Sequence, residues 1–212
     1  MAAKKKTISK NNKTVLIIVA LLAIGMLAAG AMLLVGSSKD ETTFTATHYV
    51  QIEVQDYGTI TAELYGNEAP ITVANFLKLA NEGFYDGLTF HRIISDFMIQ
   101  GGDPAGNGTG GSDERIKGEF SANGVNNPIP HERGVLSMAR SNAYDSASSQ
   151  FFIMHEEASY LDGQYAAFGK VLSGIEIVDA ICANTPVIDG NGTVTAANQP
   201  IITSIRQIEK PE

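Results

Sequence analysis

From Tyr49 to Ile208 the chain is written in short runs of alternating apolar and polar residues, each cut off by a turn signal. That pattern restricts it to an architecture of many short strands. Tyr49–Val54 alternates, Asp56-Tyr57-Gly58 supplies a turn, and Gly58–Leu64 alternates again, which predicts a hairpin. Pro70 opens a helix on which Val73, Phe76, Leu77 and Ala80 recur at helical spacing, ending near Gly83. Further strands are predicted at Thr89–Ile94, Phe97–Gly101, Val135–Ala139, Gln150–Met154, Ala166–Val171 and Ile201–Ile208. A second short helix fits Ile175–Cys182, with Ile177, Val178 and Ile181 on one face, and Asp189-Gly190-Asn191-Gly192 is a turn cluster. The expected class is mainly β, an antiparallel barrel or sandwich with two helices. Pattern alone does not choose between the two.

The first 36 residues are of another kind. Lys4, Lys5, Lys6, Lys10 and Lys13 precede Val15–Gly36, a run of 22 residues without a charge. About 20 apolar residues cross a bilayer as a helix, and lysines before such a segment favour a cytoplasmic N-terminus. The expectation is therefore 1–14 as a basic cytoplasmic terminus, 15–36 as a transmembrane helix, and the remainder outside the cytoplasm. A cleaved signal peptide is the alternative, with Ala29-Gly30-Ala31 as a small-residue site and a secreted product. Residues 37–47 read as a polar linker, and 48–212 as the folded domain.

With five of 15 basic residues spent before the apolar run, ten remain against all 23 acids, or −13 for residues 37–212. Such a domain is repelled by nucleic acid and by anionic headgroups. Cys182 is the only cysteine, so the domain has no internal disulfide and rests on its own core. His48, His91, His131 and His155 lack metal-ligand spacing, and no G-x-S-x-G elbow is present, so neither metal nor cofactor is expected. Gly106–Gly111 matches G-x-G-x-x-G, but Ser112–Gly118 behind it carries no apolar helical repeat. The fingerprint needs a helix N-terminus there, so nucleotide binding is rejected.

Two blocks stand out, Phe90–Pro104 (FHRIISDFMIQGGDP) and Ser149–Ile153 (SQFFI). Alternation along a strand makes Met98 and Gln100 project together, as Gln150 and Phe152 do, while Phe151 and Ile153 point the other way. Core packing explains the apolar residues by themselves. Arg92 and two glutamines in the same blocks suit instead a shallow, mixed groove for an extended peptide.

These blocks resemble the signature segments of the cyclophilin-type peptidyl-prolyl isomerases, and the resemblance runs from about His48 to Glu209. It implies a closed eight-stranded antiparallel β-barrel capped by two α-helices, monomeric, acting on proline-containing polypeptides. It implies that Arg92 is the catalytic donor and that Gln100 orients it. Phe97, Met98, Phe152 and Leu161 would form the proline pocket; Ala139, the backbone of Arg140, and Gln150 would hold the extended peptide. The loop through Thr109 would line the groove. Ser95-Asp96 stands where many members have Pro-Gly, and Arg140 replaces a frequent asparagine, adding charge at the groove edge. Tyr160 and Tyr165 occupy positions of a tryptophan and a histidine in well-known eukaryotic members, so cyclosporin binding is expected to be weak or absent. A binding module or holdase chaperone with little turnover is the alternative function; retention of Arg92 with Gln100 argues for the enzyme.

Overall fold

The computed structural model describes residues 43–212. The expected membrane segment, 15–36, lies outside the described residues. Among the described residues no helix is long and apolar enough to cross a membrane.

Eight strands run β1 (His48–Val54), β2 (Gly58–Leu64), β3 (Phe90–Ile94), β4 (Met98–Gly101), β5 (Val135–Met138), β6 (Phe151–Met154), β7 (Ala167–Ser173) and β8 (Ile202–Ile208). Helix α1 (Pro70–Asn81) follows β2 and helix α2 (Ile175–Asn184) follows β7. Every pairing is antiparallel, in the order β3-β4-β6-β5-β7-β2-β1-β8. The expected closure of the barrel is corrected here. The sheet curls into a half-barrel whose edge strands β3 and β8 form no ladder. The chain at their starts is joined by the isolated bridge Thr89–Ile201 and by hydrogen bonds from Gly87 N–H to Ile202 O and from Ile202 N–H to Leu88 O. Pro200 accounts for part of this: having no N–H, it can only accept, which it does from Phe90 N–H at 2.9 Å.

The main core fills the concave side. Val50 and Ile52 of β1, Ile60 and Leu64 of β2, Ile99, Phe151, Ile153 and Phe168 are all fully buried there. Phe76 of α1 inserts between Phe151 and Phe168, with ring centroids at 5.3 and 5.1 Å. The face of α2 predicted from its spacing, Ile177, Val178 and Ile181, is buried in the same core. The other faces of β4, β5 and β6 carry a second apolar cluster built on Met98, Val135, Phe152 and Met154. Part of the expected linker packs on the domain: Phe44 meets Tyr65 at 5.4 Å, and Thr47 N–H donates to Leu64 O.

Glu119 fixes the long loop between β4 and β5. Its buried carboxylate accepts from Ile71 N–H, Thr72 N–H and the Thr72 hydroxyl at 3.0, 2.7 and 2.7 Å, capping the N-terminus of α1. A negative charge there satisfies donors the helix leaves unpaired and opposes its dipole.

Candidate active site

The β3–β4 hairpin places Arg92 opposite Gln100, and the β4–β6 ladder places Gln100 opposite Phe152. Directly opposed residues share a face of the sheet, so one arginine, one amide and one aromatic ring lie in a row across three strands. Arg92 is half-buried and fixed at two atoms. Nε donates to Asn191 O at 2.9 Å, and Nη1 donates to Gln100 Oε1 at 3.1 Å. Partial burial lowers the guanidinium pKa from its usual value, yet the group remains a cation. Among the described residues Nη2 makes no hydrogen bond within the protein.

The amide orientations follow from the arginine. Arg92 can only donate, so Gln100 turns its oxygen to it and its nitrogen toward Gln150 Oε1, 2.9 Å away. Gln150 in turn donates from Nε2 to Gly110 O at 2.7 Å. The relay thus ends on the backbone of the glycine-rich loop.

That loop is organised from inside. The buried Asp103 carboxylate accepts N–H bonds from Ala105, Asn107 and Gly108 at 2.8, 3.0 and 2.6 Å. Burial pushes the carboxyl pKa up, but these donors outweigh it and hold it below the usual range. A Cβ on Gly110 would collide with this carboxylate, and one on Gly111 with the Ser148 hydroxyl. The run is thus folded around an internal carboxylate, and the Asn107 and Gly108 amides that a nucleotide phosphate would need are already donated to Asp103.

Next to Arg92, Met98, Phe152 and Leu161 are buried, with Phe97, Ala139 and Tyr165 packed against them at partial exposure. Tyr165 meets Phe152 edge-on at 6.0 Å. Tyr160 is 70% exposed and lies over Phe97 at 6.1 Å with planes 29° apart. Thr109, Ala139, Arg140 and Gln150 line an adjoining polar recess of about 280 Å³ that also takes in Gln100 and Arg115. The residues singled out from the sequence thus fall into two groups, the apolar cluster around Met98 and Phe152 and the lining of the polar recess, with Gln100 on the recess and bonded to Arg92.

The Arg140 guanidinium, beside the recess, is engaged within the fold: it faces the rings of Tyr165, Tyr144 and Phe120 at 4.6, 5.0 and 5.1 Å. Nε and Nη2 donate to Gln164 O, and Nη1 donates to Ser141 O. Cation–π contacts and carbonyl acceptors stabilise the charge locally, and the side chain ties three loops together behind Tyr165. Asp96, at φ +62°, sits in the left-handed region that glycine adopts freely, and its N–H donates to His155 Nδ1 at 2.8 Å.

Several contributors escaped sequence reasoning. His131 is fully buried and stacks on Phe152 at 6.1 Å and 19°. Its Nδ1 lies 2.9 Å from Asp162 Oδ1 and its Nε2 2.9 Å from Ser137 Oγ. Asp162 follows Leu161, so the imidazole braces two walls of the pocket at once. Asn191 acts through its carbonyl, which no residue-type argument exposes, although its turn cluster was visible. Among the described residues no group of His, Cys, Asp or Glu is placed to hold a metal.

The sequence profile described as cyclophilin type peptidyl-prolyl cis-trans isomerase/CLD matches residues 49–207. Peptidyl-prolyl cis-trans isomerase B of Bacillus subtilis is 54% identical over 123 residues, 58% of this chain and 82% of that protein. A peptidyl-prolyl cis-trans isomerase of Helicobacter pylori is 43% identical over 143 residues, 66% of this chain and 85% of that protein. The crystal structure of a Cryptosporidium parvum cyclophilin type isomerase in the presence of the dipeptide Ala-Pro superposes with a TM-score of 0.67 at 32% identity, covering 76% of this chain and 99% of that one. A profile match over most of the chain, with relatives of that name at 54% and 43% identity, means that this protein belongs to the cyclophilin-type peptidyl-prolyl cis-trans isomerases.

Proposed function

We propose that the protein isomerises X–Pro bonds of extracytoplasmic polypeptides and so assists their folding, with Arg92 as the group that lowers the barrier. The observation that carries this reading is the Arg92 guanidinium, held by Asn191 O and Gln100 beside Met98, Phe152 and Leu161. The X–Pro amide is planar by resonance, with a rotation barrier of about 18–20 kcal/mol. Twisting it returns a lone pair to the proline nitrogen, an acceptor absent from the ground state. A fixed donor aimed there binds the twisted form selectively. The apolar cluster receives the proline ring, Gln100 holds the guanidinium and the substrate carbonyl, and Ala139, Arg140 and Gln150 take the extended chain. Phe97, Tyr160 and Tyr165 complete the rim. The relative from Cryptosporidium parvum, crystallised with Ala-Pro, supports a proline peptide as the ligand class.

The extracytoplasmic setting rests on Lys4–Lys13 before the uncharged run and −13 after it. Residues 15–36 then act as the anchor. Protease added to intact cells or protoplasts should digest the isomerase domain, and carbonate washing should leave the protein on membranes. A soluble fragment beginning near Met32 would replace the anchor by a cleaved signal. A domain protected until lysis would overturn the placement.

A further inference from the structure

Arg92 is held by Gln100 within the sheet and, at Nε, by the turn 188–193, which lies along the outer edge of β3. The β3–β4 register shifts between Phe90 and Arg92, so His91 is the extra residue of a bulge. The His91 carbonyl accepts from Val194 N–H at 3.1 Å, Arg92 bridges to Thr193, and Ile93 N–H donates to Gly192 O at 2.8 Å. Turn and strand are pressed together, since a Cβ on Gly192 would collide with Ile93 O.

Asp189 holds the far side of the same turn. Its Oδ1 accepts from Asn191 N–H and Thr193 N–H at 2.9 and 3.0 Å, and its main-chain O accepts from Gly192 N–H at 3.1 Å. The peptide joining Asn191 to Gly192 therefore gives its N–H to Asp189 and its C=O to Arg92 Nε. The next one, from Gly192 to Thr193, gives its N–H to Asp189 Oδ1 and its C=O to Ile93. A trans peptide is planar with N–H and C=O pointing opposite ways, so fixing one end aims the other. The guanidinium is planar too, and with Nε and Nη1 bonded the direction of Nη2 follows.

Hydrogen bonds from Thr193, with those of Asn191 and Gly192, hold the Asp189 carboxyl below its usual range, so the carboxylate is the accepting form at neutral pH. The side chain is exposed and packs in neither apolar cluster. What it contributes is direction, not burial. It also lies within electrostatic reach of Arg92, so geometry and charge have to be separated.

We propose that Asp189 is a positioning residue of the isomerisation: through the turn it aims the Asn191 carbonyl, and through that carbonyl the Arg92 donor, without touching the substrate. The proposal rests on the isomerase reading. The bonds from Gly192 and Val194 to β3 do not involve the Asp189 side chain, so its loss loosens the arginine without releasing it.

Asp189→Ala and Asp189→Asn should be compared with wild type as full-length proteins by exchange NMR on an Ala-Pro peptide, which needs no coupling protease. Asp189→Ala should lower kcat about three- to tenfold, the worth of one hydrogen bond, with KM within about twofold. Asp189→Asn keeps an acceptor oxygen and drops the charge, and should recover most of the rate. In an Arg92→Ala background, Asp189→Ala should change the residual rate by less than about twofold, because its effect passes through the arginine. The Arg92 Nε–H resonance, assigned by its loss in Arg92→Ala, reads the geometry without turnover. Its exchange with solvent should speed up in Asp189→Ala and return toward wild type in Asp189→Asn. An active wild type whose kcat and Nε–H signal are both unmoved by Asp189→Ala would overturn the proposal, as would an equal loss of rate in the Arg92→Ala background. Asp189→Asn as slow as Asp189→Ala would assign the effect to charge and overturn the route through the turn. A wild type without turnover would instead strike at the isomerase reading, and the positioning role would fall with it.

Discussion

Gln100 joins Arg92 to Gln150: its carbonyl oxygen accepts from the guanidinium while its amide nitrogen donates to Gln150 Oε1, 2.9 Å away. Cutting the relay at its far end should therefore be felt at the arginine. Gln150→Leu leaves the Gln100 NH₂ without its acceptor and loosens the side chain that holds Arg92 Nη1, and kcat/KM should fall about three- to tenfold, the worth of one neutral hydrogen bond. Gln100→Leu removes a bond to a charged group and should cost about ten- to hundredfold. Peptide isomerisation rates for both variants check this. Unchanged turnover in Gln150→Leu would show that Gln100 keeps its orientation unaided.

Tyr160 bears on inhibition. The resemblance implies that an indole N–H donates to cyclosporin from this position, and Tyr160 carries its donor at the tip of an exposed ring lying over Phe97. Leaving one ligand acceptor without a partner costs about 1–3 kcal/mol, so inhibition should be about ten- to hundredfold weaker than with an indole present. Tyr160→Trp should tighten cyclosporin binding and leave kcat/KM for an Ala-Pro peptide within a fewfold. Calorimetric titration of both proteins decides; nanomolar binding by the wild type would contradict the account.

His131 gives stability a pH dependence. Burial lowers its pKa, with Asp162 opposing. Below about pH 6.5, the ordinary histidine value, the unfolded chain takes up a proton that the folded one resists. Its contribution to stability is thus complete above that pH and is lost as pH falls toward the depressed folded value; His91, lowered by burial too, acts in the same direction. The urea midpoint should drop between pH 7.5 and pH 5, and His131→Gln should flatten that drop. Equal slopes in the two proteins would remove His131 as the cause.

Much of this fold was legible because alternation and helical spacing are local signals. All eight strands and both helices lie within a few residues of their predicted positions, and the split between Phe151, Ile153 and Phe152 follows from period two alone. Barrel closure was not legible, because it depends on how β3 and β8 meet, more than a hundred residues apart. At the site, Arg92, Gln100, Met98 and Phe152 stood in two compact blocks. The Arg140 cage was invisible because Phe120, Tyr144 and Tyr165 come from three separate loops. His131 looked like a stray histidine until folding stacked it on Phe152. The His91 bulge was hidden as well, since a one-residue register shift leaves no mark on alternation.

The most direct test of the central claim is the isomerisation rate of an Ala-Pro peptide by Arg92→Ala beside the wild type. The account predicts a kcat/KM lower by about 10²–10³, the scale of losing one transition-state donor. The circular dichroism spectrum should be unchanged, because the side chain is half-buried on the outer face of the sheet and lies outside both apolar clusters. Arg92→Lys should recover only part of the rate, since a single ammonium cannot hold Asn191 O and Gln100 and still present a donor in the same plane. A folded Arg92→Ala protein that turns over the peptide at nearly the wild-type rate would contradict the mechanism.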